Sequence, residues 1–466
     1  MRKYIALALA VGAVAGCMLP VHARTDTRAV AYQVEPVSAA EGKALVVAHS
    51  ALGSESDLWR SYEQRDFFAL RSRLPRTSVT DTDRIRLVRA ATQAAFGDHE
   101  AAKCTLRQLL ARTPDRATED LARRLLMREE RAGYHYRAAL AAIEPLLPAD
   151  SAKDGPQEAD LRNAALLLKA LVNVAPQRVE RDTDPIAVSR DLEGRFSVRI
   201  NGHRVKLGFD TGANFSFLAA STARELGLEV RPVGVAVATS TGDAVGAEIA
   251  VGDITLGSSR IRNVVFLVYP DAGLTMPDGF FMPGLLGFPV MAALGAIRYS
   301  RDGSTRVGVA ALTRPPNLAL DGNDVLARVG FRNEDLLCRL DTGADTTVFY
   351  EPFYRRYSEL FTDPSRSHEL KLGGVSGARE IPAYRLASID FQLAGRPVHL
   401  ADTDVIQKSI ARNPEDNYLA CNLGLDTLRT FGSYTINLKS LHIDLQDGLD
   451  GQSSAAKTRH RDRAPD

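Results

Sequence analysis

Two rhythms of hydrophobic and polar residues divide this chain of 466 residues. Between about Asp57 and Val174, apolar side chains recur every three or four positions, as in LVRAATQAAF, LRQLLAR and LARRLLMREERAGYHYRAALAAIEPLL. That spacing lays an apolar stripe along one face of a helix, so an all-α domain is predicted over 57–174. The pattern also repeats. GDHEAAKCTL starts at Gly97 and GYHYRAALAA at Gly133, 36 positions later, each with alanine five residues after the glycine. Pro114 closes the first unit, and Pro145 and Pro148 close the second. The periodicity then fails in VNVAPQRVERDTDP, which is charged and proline-bearing, so 175–184 reads as a linker. After it the period becomes two. Val198, Ile200, Val205, Leu207 and Phe209 alternate around Asn201-Gly202, a strong short hairpin signal. Strands with short helices, such as Ala219–Leu228, are predicted to about Leu445, and the polar tail 447–466 is predicted to be disordered.

The start of the chain reads as a targeting segment. Arg2 and Lys3 precede the apolar run Ile5–Gly16, and VHA ending at Ala23 suits removal of a signal peptide over 1–23. Val14-Ala15-Gly16-Cys17 also resembles a bacterial lipobox, which would leave Cys17 acylated as a membrane tether. Both readings predict export, to the periplasm or to a membrane-anchored form facing it, with 24–56 as a linker. After Ala23 no apolar run is long enough to span a bilayer.

Composition adds little to this division. Hydrophobic residues make up 45% and charged residues 25%, as in soluble globular proteins, and the length calls for two or three domains. The net charge is +1 with no basic block before the tail, which argues against a nucleic-acid partner. Cys17, Cys104, Cys338 and Cys421 form neither a disulfide scaffold nor a zinc spacing. Cys338 lies three residues before Asp341, and Cys421 three before Gly424. A pair of buried thiols is favoured there over a bridge.

The chemistry sits in a repeated tetrapeptide. LGFDTGANFSFL and CRLDTGADTTVFY each carry Asp-Thr-Gly-Ala directly after an apolar strand. A second element repeats with it. Gly287, in GLLGFPVMAAL, follows Asp210 by 77 residues, and Gly424, in CNLGLDTLRTF, follows Asp341 by 83. Two units in the same order at similar spacing indicate an internal duplication, 185–313 and 314–446. No phosphate-binding loop, His-Glu-x-x-His or Gly-x-Ser-x-Gly is present. Of the scattered histidines, His135 and His203 read as surface or packing residues.

These motifs resemble the aspartic peptidases of the retropepsin and pepsin kind, over about 260 residues from Asp184 to Leu445. The resemblance implies an all-β bilobal acid-protease fold with both halves of the site in one chain. It implies Asp210 and Asp341 as catalytic residues, with no cofactor and no metal. Two carboxyl groups about 3 Å apart cannot both ionise, so they share one proton and supply both acid and base. By the same resemblance Thr211 and Thr342 bond across the lobe junction, although local turn hydroxyls are the alternative. Gly212 and Gly343 would let the two loops approach. Gly287 and Gly424 would belong to the strand threaded beside each loop. Flap candidates are the hairpins holding Gly242 and Gly246, and Gly373 and Gly374. Ala213 and Ala344 stand where pepsin-like chains carry a hydroxyl donor, which predicts a less acidic optimum. Phe215, Phe217, Val348 and Phe349 are expected in the core or the cleft wall.

The earlier repeat resembles helical hairpins of the tetratricopeptide type. The architecture expected is therefore an N-terminal helical-repeat domain followed by two aspartic-peptidase lobes. The function expected is an exported endopeptidase acting on protein or peptide substrates, with a protein partner on the helical repeats. The competing expectation is a peptidase-like double lobe that grips an extended peptide without cutting it, or a scaffold built on the repeats.

Overall fold

The computed structural model describes residues 54–76, 80–147, 156–181, 185–238, 244–276, 279–309, 314–374, 377–410 and 417–447, with the dipeptide 5–6. The signal-peptide and lipobox readings over 1–23, Cys17 and Gly242 therefore lie outside the described residues, Ile5–Ala6 apart. So do the linker up to 53 and the tail from 448.

Among the described residues seven helices come first: α1 (Glu55–Glu63), α2 (Phe67–Arg73), α3 (Asp83–Ala95), α4 (His99–Leu110), α5 (Arg116–Ala132), α6 (Tyr136–Ile143) and α7 (Pro156–Leu171). Side chains at their starts satisfy free backbone N–H groups. Ser54 and Asp57 form a capping box on α1, and Asp66, Thr82 and Asp115 cap α2, α3 and α5. The linker predicted to run to residue 56 thus already belongs to a helix from Glu55.

Helices α4 and α6 start 37 positions apart, one more than the glycines indicate. Positive φ falls at Gly97 between α3 and α4, and at Tyr134 between α5 and α6. Helices α4 and α6 start at His99 and Tyr136, and the fully buried alanines are Ala102 and Ala139 rather than Ala138. The backbone turn sets the register, and it places Gly133 one residue early.

The strands then build two lobes in the same order. In the first, the hairpin Phe196–Ile200/His203–Asp210 leads into Ser216–Ala219. The long strands Arg231–Ala238, Ala244–Leu256 and Ser259–Tyr269 follow, and Gly284–Gly287 returns parallel to His203–Asp210. In the second, Asp324–Phe331/Glu334–Leu340 leads into Val348–Phe349. Ser367–Gly374, Gly377–Leu393 and Arg396–Ile406 follow, and Cys421–Leu423 returns parallel to Glu334–Leu340. Asn201 (φ 48°) and Gly202 (φ 84°) form the tight turn of the first hairpin. Each lobe then sends two strands into a shared five-stranded sheet, in which Ala296–Ser300 pairs with Ser433–Asn437 and Ile186–Ser189 forms one edge.

Two expectations need correction. The segment 175–184 is not simply a linker, because Arg178–Arg181 forms the edge strand of the first lobe's sheet against Ser259–Arg262. Charge made it look like a connector, but an edge strand tolerates the charged side chains of Arg178, Glu180 and Arg181. Cys338 and Cys421 are not free thiols. They face one another on parallel strands with Cα atoms 4.7 Å apart and form a disulfide, while Cys104 is free and exposed.

That bond closes a loop of 83 residues. Replacing both cysteines by alanine is expected to cost about 2–5 kcal/mol of stability, read as a lowered Tm by calorimetry. Peptide mapping without reductant should recover Cys338 joined to Cys421, with Cys104 alkylated.

Candidate active site

The two Asp-Thr-Gly loops meet where the lobes join, and their threonines lock them. Thr211 Oγ1 donates to the Leu340 carbonyl (2.7 Å) and Thr342 Oγ1 to the Phe209 carbonyl (3.1 Å). Each hydroxyl also accepts the other threonine's backbone N–H, at 3.0 and 3.1 Å. Four bonds thus cross the junction, and every partner is buried, where an unmade bond would cost about 1–3 kcal/mol. The local-turn alternative for these hydroxyls does not hold, since both reach across about 130 residues of sequence.

The glycines have visible reasons. A Cβ on Gly212 would lie 2.8 Å from Asp341 Cγ, so only glycine lets that loop approach the opposing carboxylate. A Cβ on Gly287 would lie 2.6 Å from the carbonyl oxygens of Ala213 and Phe215. On Gly424 it would lie 2.5 Å from the Thr346 carbonyl carbon. The returning strand of each lobe therefore passes the Asp loop at backbone contact. Gly212 N–H donates to Asp210 Oδ1 (2.7 Å) and Gly343 N–H to Asp341 Oδ1 (3.1 Å).

Asp210 is 1% and Asp341 0% exposed. Burial first, then the charge of Asp341, pushes the Asp210 carboxyl well above the usual carboxylate range. The Gly212 N–H and the Arg339 guanidinium oppose this without reversing it. Asp210 Oδ2 is buried without a hydrogen-bond partner. Ala213 and Ala344 are both fully buried at the ends of the Asp-Thr-Gly loops.

The flap candidates sit near the ends of two hairpins. Gly246 pairs with Ala236, Gly373 with Ala378 and Gly374 with Gly377, while the turns 239–243 and 375–376 lie outside the described residues. Each hairpin shares an apolar cluster with the Asp loop of its own lobe: Val235, Val237 and Ile249 with Ala213, and Leu370, Leu372 and Ile381 with Ala344. Phe215, Phe217, Val348 and Phe349 are buried. Among the described residues, no three His, Cys, Asp or Glu side chains are grouped to hold a metal ion.

Several polar residues near the site were not singled out from the sequence. Arg339 is buried, approaches Asp341 Oδ2 at 3.5 Å and lies 3.8 Å from Asp324. Asn422 donates to Asp341 Oδ2 at 2.9 Å. A signal for Arg339 exists: it stands two residues before Asp341 at the end of an extended strand, hence on the same face. Burial, assisted by the charges of Asp321 and Asp341 and opposed by Arg339, raises Asp324 to about 6. Burial also pushes Asp321 upward, but Arg65 and Arg128 from the helices and the Tyr418 hydroxyl outweigh it and hold Asp321 low.

The aspartyl protease family matches residues 196–290, from the strand that opens the Phe196–Asp210 hairpin to just past Gly287. The first lobe is aspartic-protease-like. Among solved structures the chain is similar to a retropepsin-like aspartic protease from Rickettsia conorii. The identity is 19% and the TM-score 0.21, over 28% of this chain and 92% of that one. No curated protein matches the chain.

The raised Asp324 has a stability consequence. Its folded value lies above the ordinary carboxylate value, so the native state binds more protons, and stability is lost as pH rises from about 4 through 6. With the side chain 23% exposed, solvent screening reduces the effect to on the order of 1 kcal/mol. Asp324→Asn is expected to raise Tm at neutral pH and leave it unchanged below about pH 4, by thermal melts across that range.

Proposed function

We propose that this chain is an aspartic endopeptidase in which Asp210 and Asp341 together activate a water for attack on a peptide bond. The observation that carries the reading is the pair of buried carboxyl groups held across the lobe junction by the crossed threonine bonds. The family match over the first lobe supports it, and the second lobe repeats the same order of elements.

The chemistry needs only groups the chain supplies. One carboxylate takes a proton as the water oxygen bonds to the scissile carbon, and the other carboxylic acid gives its proton to the carbonyl oxygen. As the C–N bond breaks, one carboxyl gives its proton to the amine and the other takes a proton from the gem-diol hydroxyl, which restores the singly protonated dyad. A buried, dry pair suits this cycle because it disfavours the doubly charged state.

The finer parts of the reading belong to the same proposal. We place the enzyme outside the cytoplasm, released by cleavage after Ala23 or tethered through Cys17. The Cys338–Cys421 disulfide supports that placement, since such bonds persist in oxidising compartments. We assign α3–α6 to tetratricopeptide-type hairpins and give them a protein partner or substrate to recruit. The flaps are the two hairpins that carry Gly246 and Gly373–Gly374.

Asp210→Asn and Asp341→Asn should each abolish hydrolysis of a casein-type substrate while leaving the circular dichroism spectrum that of the folded wild type. Turnover that survives both substitutions would refute the dyad. An intact fold that binds extended peptide but cuts none, in the wild type too, would favour the binding-module reading.

The pH dependence follows from Asp210. A dyad carrying one proton keeps it until pH rises through the elevated Asp210 value, so the alkaline limb of activity is late. A pH–rate profile should peak in mildly acidic to neutral solution, and a maximum near about pH 2–3 would contradict this electrostatic account.

A further inference from the structure

The two halves of the site are unequal. In the first lobe Gly208, two residues before Asp210, pairs in register with Leu285. In the second lobe the same positions hold Arg339 and Asn422. Arg339 Nε donates to Asn422 Oδ1 at 2.7 Å, and Asn422 Nδ2 donates to Asp341 Oδ2 at 2.9 Å. A guanidinium only donates, so its bond to Oδ1 fixes which end of the amide faces the carboxylate.

The donors are distributed accordingly. Asp341 Oδ1 accepts the Gly343 N–H, and Oδ2 accepts Asn422 with Arg339 Nη2 at 3.5 Å. Asp210 Oδ1 accepts the Gly212 N–H, but its Oδ2 has no donor. The charged and titratable groups facing the pair are Arg339, Asp324 and the half-buried Tyr350 phenol. One fixed positive charge thus serves three carboxyl groups, and only Asp341 is hydrogen-bonded to its carrier.

Resting on the peptidase reading above, we propose that Arg339 and Asn422 are positioning residues that make the dyad directional. They hold the negative charge on Asp341 and leave the shared proton on Asp210 Oδ2. The attacking water then gives its proton to Asp341 as its oxygen bonds to carbon, and Asp210 protonates the carbonyl oxygen. On collapse the C–N bond breaks, Asp341 returns its proton to the amine, and Asp210 recovers its own from the gem-diol.

The proton's place can be read without turnover. In the full-length chain labelled at aspartate 13Cγ, with resonances assigned through Asp210→Asn and Asp341→Asn, Asp341 should show the charged-form shift at about pH 5 while Asp210 shows the protonated one. The reverse assignment, or a common averaged shift, overturns the proposal even in a protein that cuts nothing. Failure of the peptidase reading itself would instead appear as turnover indifferent to both Asp→Asn changes.

Kinetics supply the second arm. Arg339→Met removes the charge and the Nε donor, and Asn422→Leu copies the first lobe. Either should lower kcat about tenfold with KM within about twofold, and move the acid limb of the pH–rate profile up by about one unit. Arg339→Lys should recover part of that shift. Profiles that overlay the wild type overturn the proposal, and if a variant does not fold, the wild-type carboxyl spectrum alone decides it.

Discussion

Two carboxyl groups taken out of water and set against one another are the constraint on which the rest of this structure depends. Their repulsion and desolvation oppose folding, so the surrounding framework must be stiff enough to hold them. The crossed threonine bonds provide that stiffness at the junction, and the shared five-stranded sheet provides it below. The glycines allow the backbone to come close enough for the contact to exist. Seen this way, the duplicated order of strands is the means of bringing one carboxylate from each side.

The second lobe adds a feature that the first lacks. Along Glu334–Leu340, Leu336, Cys338 and Leu340 face the core, while Arg339 shares the opposite face with Asp341. The returning strand places Cys421 opposite Cys338 and Asn422 opposite Arg339. A slip of one residue would turn the polar pair into the core, and the disulfide prevents that slip. A bond that looks purely structural therefore also keeps a charged arm aimed at the site.

Much of this was legible in the sequence because it depends on local pattern. The change from helical to alternating period located the two halves, and Asn201-Gly202 marked a real turn. The repeated Asp-Thr-Gly-Ala with Gly287 and Gly424 picked out the segments that the structure brings to backbone contact. What stayed hidden depends on pairing between distant segments. The bond between Cys338 and Cys421 follows from strand register, and the partners of Arg339 follow from which face of the strand it occupies. Tyr134 takes the turn conformation one residue after the glycine that marks the repeat, so a backbone property overrode a compositional one.

The helices and the lobes are joined by charge as well as by apolar contact. Arg65 and Arg128 both form ion pairs with Asp321, Arg328 of the second lobe bonds Asp66, and Asn163 accepts the backbone N–H of Ala236 at the edge of the first lobe's sheet. Cutting the chain after α7 would leave Asp321 in its niche with only the Tyr418 hydroxyl, a few residues from the already elevated Asp324. The double lobe is thus not an interchangeable cassette: any recombination that swaps the helical part must bring two cations of its own or lose the acid at position 321.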